Sequence, residues 1–154
     1  MPTLKDLLGR TTPVGKTHGL LEYLGIMERG LAGDMVLAVS PATTSSSAAA
    51  VTATIGGSVA KYTRSITIKL QTATGEVHEW FQGTFAIAAS KTGSGTLGIA
   101  GGLTSATFVD GVAAVTLEYT GTWEVADTAT LTITGGTKLG YTISNKTSVD
   151  TIVA

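Results

Sequence analysis

The sequence predicts an all-β fold, an antiparallel β-sandwich preceded by an irregular N-terminal arm, and three observations carry that reading. From Val51 onward, short runs alternate apolar and polar residues, the period of a strand with one buried and one wet face. Turn residues separate the runs at intervals of about ten residues, the rhythm of a sandwich of seven to nine strands. Residues 41–154 hold 24 of the 28 threonines but only 13 charged side chains, so the surface must be built largely from Thr, Ser, Gly and Ala.

The elements follow in chain order. Residues 1–40 form an arm of different composition, with four basic and four acidic residues. Leu4, Leu7 and Leu8 suit a short amphipathic turn before Gly9, and Pro13 then biases Thr12 away from the helical region. Leu20, Leu21, Leu24 and Met27 have helical spacing between His18 and Arg29. Gly19, Gly25, Gly30 and Gly33 weaken it, each costing about 1 kcal/mol relative to alanine in a helix interior, so extended stretches fit equally. Met35 to Val39 is an apolar run able to pair as a strand. Residues 41–50, Pro-Ala-Thr-Thr-Ser-Ser-Ser-Ala-Ala-Ala, have the small polar composition of a linker or exposed loop, which divides the arm from a sandwich domain at 51–154.

Within that domain Ile66, Ile68 and Leu70 alternate with Ser65, Thr67 and Lys69, and Ala73-Thr74-Gly75 connects them to a strand over 77–81. Phe85, Ile87 and Ala89 repeat the alternation, and residues 90–95 form a loop before a short strand at Leu97 to Ile99. Asp110-Gly111, between the runs 106–109 and 112–119, is the strongest hairpin signal because a type I′ turn needs positive φ at both central residues. Strands at 122–125, 129–134 and 141–144 complete the series.

Several function classes are disfavoured. The net charge of −1 gives no field toward nucleic acid or an anionic membrane, and Lys61, Arg64 and Lys69 do not share one strand face. Absence of cysteine removes disulfides, cysteine nucleophiles and thiolate metal sites. The first residues, Met1-Pro2-Thr3-Leu4-Lys5-Asp6, lack the pattern of a secretory signal, and no run reaches the apolar length of a membrane span, so a soluble product is expected.

Candidate sites read as weak. Gly9 to Thr17 resembles a phosphate loop, but five residues stand between its glycines where four are required, and Pro13 removes an amide donor. Glu76 and His78 would share a strand face and could join Asp110 or Asp127 around a metal; a solvent-facing strand with Val77 inward explains them as well. Glu118 and Glu124 raise a two-carboxylate glycosidase reading, but nothing in the sequence fixes their separation. Trp80 and Trp123 fit either a sugar-stacking platform or core anchors, and Phe81 should face opposite Trp80. Asn145-Lys146-Thr147 matches a glycosylation acceptor. No catalytic residue, metal site or cofactor emerges.

The stretches Ile66 to Phe81 and Phe108 to Thr134 resemble Ig-like and related β-sandwich modules of tailed-bacteriophage structural proteins, most of all the head decoration, or cement, proteins. The resemblance covers about residues 60–135, a pattern of strands and turns, and implies an Ig-like or jelly-roll-like sandwich. It implies a non-enzymatic protein on the capsid surface of the virion, assembled in the host cytoplasm. Its partners would be the major capsid protein or other virion subunits, and its assembly a homotrimer. Leu4, Leu7, Leu8, Leu20, Leu21 and Leu24 would contact partners or a sister protomer. A tail or fibre component and a carbohydrate-binding module are the alternatives.

Overall fold

A computed structural model describes residues 34–52, 54–55, 58–59 and 61–154. Most of the arm, including the phosphate-loop-like segment and all six candidate leucines, lies outside the described residues. The elements run β1 (Val36–Ser40), β2 (Thr43–Ser47), the helical turn α1 (Ala48–Val51), β3 (Thr54–Ile55), β4 (Ser58–Val59), β5 (Tyr62–Gln71) and β6 (Gly83–Lys91). They continue with β7 (Thr96–Ile99), a turn at Ala100–Gly102, β8 (Ser105–Phe108), β9 (Val112–Thr120), β10 (Thr128–Ile133), β11 (Gly136–Lys138), β12 (Tyr141–Ile143) and β13 (Lys146–Val153).

Two sheets make the sandwich. A four-stranded sheet has the order β1-β5-β9-β7, and a five-stranded sheet the order β2-β13-β10-β6-β8. Pairing is antiparallel except between β2 and β13. Four strands facing β13, β10 and β6 reproduce the immunoglobulin-type order, with β2 and β8 added at the edges. The hairpins β3–β4 and β11–β12 stand apart from both sheets.

The predicted alternations place the core. Ile66, Ile68 and Leu70 of β5 are buried, as are Val115 and Leu117 of β9, Phe85 and Ile87 of β6, and Leu131 and Ile133 of β10. Phe81, Phe85 and Phe108 cluster at one end with centroids 5.2–5.6 Å apart. Such rings each bury roughly 150–250 Å² and add edge-to-face attraction to the burial.

Four readings need correction. Residues 41–50 are neither linker nor simple loop: β2 pairs with β13 and α1 follows it, while β1 already pairs with β5, so the described sandwich begins at Val36. Small polar composition resembled a linker, yet an edge strand with one buried position, Ser46, needs few apolar residues. Residues 77–81 make only a bridge at Val77; the Leu70 carbonyl accepts from the His78 amide and the His78 carbonyl from the Phe81 amide, turning the segment inward. Residues 122–125 are a loop, because the Trp123 indole donates to the Thr120 carbonyl and Asp127 accepts from the Glu124 amide.

The Asp110-Gly111 turn forms with φ of 50° and 74°, as its residues require, and a bridge joins Val109 to Val112. It does not close a hairpin. β8 pairs with β6 in one sheet and β9 with β5 and β7 in the other, so the turn carries the chain between sheets. A Cβ at Gly111 would also collide with the His78 carbonyl, a second reason for glycine there.

Candidate functional site

Among the described residues the ionisable groups do not converge on a cleft. Glu76 and Glu79 are exposed while His78 is 1% exposed, so Glu76 and His78 do not share a face. The His78 ring lies 5.4 Å from Trp80, with its Nε2 3.5 Å from the Asp34 carbonyl. Glu118 pairs with Lys61 at 3.0 Å, and Glu124 sits on the loop after β9. Among the described residues no group of three or more His, Asp or Glu is placed to hold a metal ion.

Apart from the exposed Lys61–Glu118 pair, the titratable groups that meet are buried between the sheets. Where the chain crosses from β1 to β2, the Pro41 carbonyl accepts from Arg64 Nη2 at 3.3 Å and from Ser148 Oγ at 2.6 Å. Arg64 Nη2 also donates to Ser148 Oγ at 2.6 Å. Beside them Asp150 Oδ2 accepts from Ser46 Oγ at 2.7 Å and from the Tyr119 hydroxyl at 2.9 Å. Burial, reinforced by Asp150, pushes the Tyr119 phenol well above its ordinary range, against an opposing effect of Arg64. Arg64 Nε and Nη1 and Asp150 Oδ1 make no hydrogen bond among the described residues. All members of the cluster are buried, and its hydrogen bonds tie β2 and β13 to β5 and β9.

The tryptophans do not form a platform. Trp123 is 2% exposed and packs on Tyr119 and against Gly95, and Trp80 is half-buried against the core. Trp80 and Phe81 meet edge to face at 5.8 Å, which the absence of a regular strand allows. A cavity of about 240 Å³ lies between residues 34–37 and the stretch from Tyr141 to Lys146. That is smaller than the roughly 300 Å³ at which small-molecule sites begin.

The distinctive surface is the outer face of the five-stranded sheet. One row runs Thr43, Val149, Thr130, Ser90 across β2, β13, β10 and β6; another runs Ser45, Thr151, Thr128; a third runs Thr147, Thr132, Ala88. Thr84 and Ala86 of β6 oppose Thr107 and Ser105 of β8. Every outward strand position is Thr, Ser, Ala or Val; the charged residues of these strands, Lys91, Lys146 and Asp150, fall on the inward phase. The opposite sheet displays Lys69 and Glu118 on its outer face. Covering hydroxyls costs far less than stripping water from a charge, roughly 1–3 kcal/mol per unpaired group against several for an ion. Sequence reasoning saw the low charge but not its confinement, which depends on strand phase and sheet order.

No family model matches the chain, and none of the curated proteins does. Among solved structures it is similar to domains 4 and 5 of the S-layer protein SbsC, with 16% identity and a TM-score of 0.38, over 77% of this chain and 44% of that one. The chain thus spans less than half of that structure, and a superposition this loose carries no argument about function.

Proposed function

We propose that this chain is a non-enzymatic structural module that packs against other protein subunits through the outer face of its five-stranded sheet. The observation that carries the reading is that this face holds no charged side chain at any outward strand position. A neutral face of threonine methyls and hydroxyls stays wet when bare and gives up little hydration when covered. The specific form of the proposal, from the resemblance of residues 60–135, is decoration of a bacteriophage capsid exterior by binding the major capsid protein, with the leucines of the arm as a second anchor. A tail or fibre position uses the same face.

The test is retention on capsid shells that lack the protein. Thr130→Lys, at the centre of the face, should lower the association constant at least tenfold, about 1.4 kcal/mol. Ser65→Lys on the opposite sheet should change it less than twofold. Equal retention of both variants refutes the reading.

A further inference from the structure

The four edge strands share a property that separates them from the strands they flank. β1 (VLAVS), β2 (TTSSS), β7 (TLGI) and β8 (SATF) carry no charged residue and no proline, whereas Arg64, Lys69, Lys91, Glu118, Lys146 and Asp150 all lie on interior strands. Edges meant to stay single are normally blunted by lysine, proline or a bulge. Among the described residues β2 is the most regular of these edges and no further strand pairs with its outer side: β7 contains Gly98, β8 has four residues, and β1 borders the cavity.

The ladder fixes which main-chain groups β2 presents. Ala42 accepts from the Val149 amide at 2.9 Å, so in the parallel register Ala42, Thr44 and Ser46 bond toward β13. Thr43 and Ser45 therefore turn their amides and carbonyls outward.

We propose that β2 pairs antiparallel with β2 of a second copy, about a two-fold axis through Ser45, joining two five-stranded sheets into one. The occupant is a second copy because the lane is complementary to itself. The two-fold sets Thr43 opposite Ser47 and Ser45 opposite Ser45, short hydroxyl pairs that can hydrogen-bond across strands without charge repulsion. Area points the same way. Five strands spaced about 4.8 Å apart, at about 3.3 Å per residue, offer roughly 500 Å² of neutral face, short of the roughly 800 Å² per partner in a stable interface. Two copies joined at β2 present about twice that. A five-residue pairing is weak alone and gains strength when both faces sit on one partner surface. The inference uses the proposed docking face for this advantage, but the β2 contact does not depend on it.

The experiment is sedimentation equilibrium of the full chain up to millimolar concentration, with amide NMR shifts followed over the same range. A concentration-dependent dimer is expected, with shifts at Thr43 and Ser45 exceeding those at Thr44 and Ser46. Ser45→Pro removes an outward amide and leaves the β13 ladder intact; it should lower association at least tenfold. Ser45→Lys and Ser45→Glu should each be monomeric, and mixing them should restore the pair. A monomer at every concentration, a trimer, or undiminished pairing of Ser45→Pro overturns the proposal. A chain that pairs but is not retained on shells keeps this inference and sinks the docking reading; a chain retained but always monomeric does the reverse.

Discussion

The two ends of the inter-sheet space are filled by opposite chemistries. At one end Phe81, Phe85 and Phe108 close the sandwich with rings alone. At the other, Arg64, Tyr119, Ser148 and Asp150 fill it with polar groups, all 7% exposed or less. The chain changes sheets at both ends, through Asp110-Gly111 beside the rings and between β1 and β2 beside the polar cluster. Only at the polar end does a crossing carbonyl, that of Pro41, point at buried side-chain donors, Arg64 and Ser148. A buried carbonyl needs a donor, and side chains supply it where a strand does not.

The comparison is sharpest in paired substitutions. Phe108→Ala should destabilise by about 3–5 kcal/mol by leaving a cavity, and Asp150→Ala by about 1–3 kcal/mol for each of the Ser46 and Tyr119 hydroxyls it leaves without their buried acceptor. Only the second should be partly rescued by adding Tyr119→Phe, which removes one stranded hydroxyl; denaturant midpoints of the single and double variants decide this. Tyr119→Phe comes next, costing about 1–3 kcal/mol near neutral pH through loss of the bond to Asp150. It also changes the alkaline limb. Because burial raises the Tyr119 phenol above the unfolded value near 10, the folded chain holds a proton that the unfolded chain releases. That contribution is complete below pH 10 and is lost as pH climbs above it, by at most about 1.4 kcal/mol per pH unit, and the phenylalanine variant should lack that slope. Smallest is Ser46→Ala, about 1 kcal/mol, since Tyr119 still donates to Asp150. Equal alkaline slopes in wild type and Tyr119→Phe would erase the distinction between the ends.

Residues showed the apolar end plainly and the polar end hardly at all. Ile66, Ile68 and Leu70, or Phe85 and Ile87, alternate in a way that admits one face inward. β13 hides the same alternation, because its inward positions include Ser148 and Asp150 and score as polar. The buried side of a strand is legible only when its residues are apolar. Arg64 shares the phase of Ile66 and Ile68, opposite Lys69, but its partners Pro41 and Ser148 come from distant sequence and show only in the fold. Turn chemistry was legible at Asp110-Gly111, but which sheets the turn joins is set by the pairing of β8 with β6, a non-local choice. The neutral outer face was half legible: the count of threonines was in view, while their alignment across β2, β13 and β10 required the register.

The parallel pairing of β2 with β13 has a mechanical consequence. The chain enters β1 at one end of the sandwich and leaves β13 at the other. Tension applied between Asp34 and Ala154 pulls β2 and β13 along their lengths in opposite senses, so the five registered pairs bear the load together and cannot unzip one at a time. A sandwich strung this way resists stretching along its long axis far better than peeling from its side.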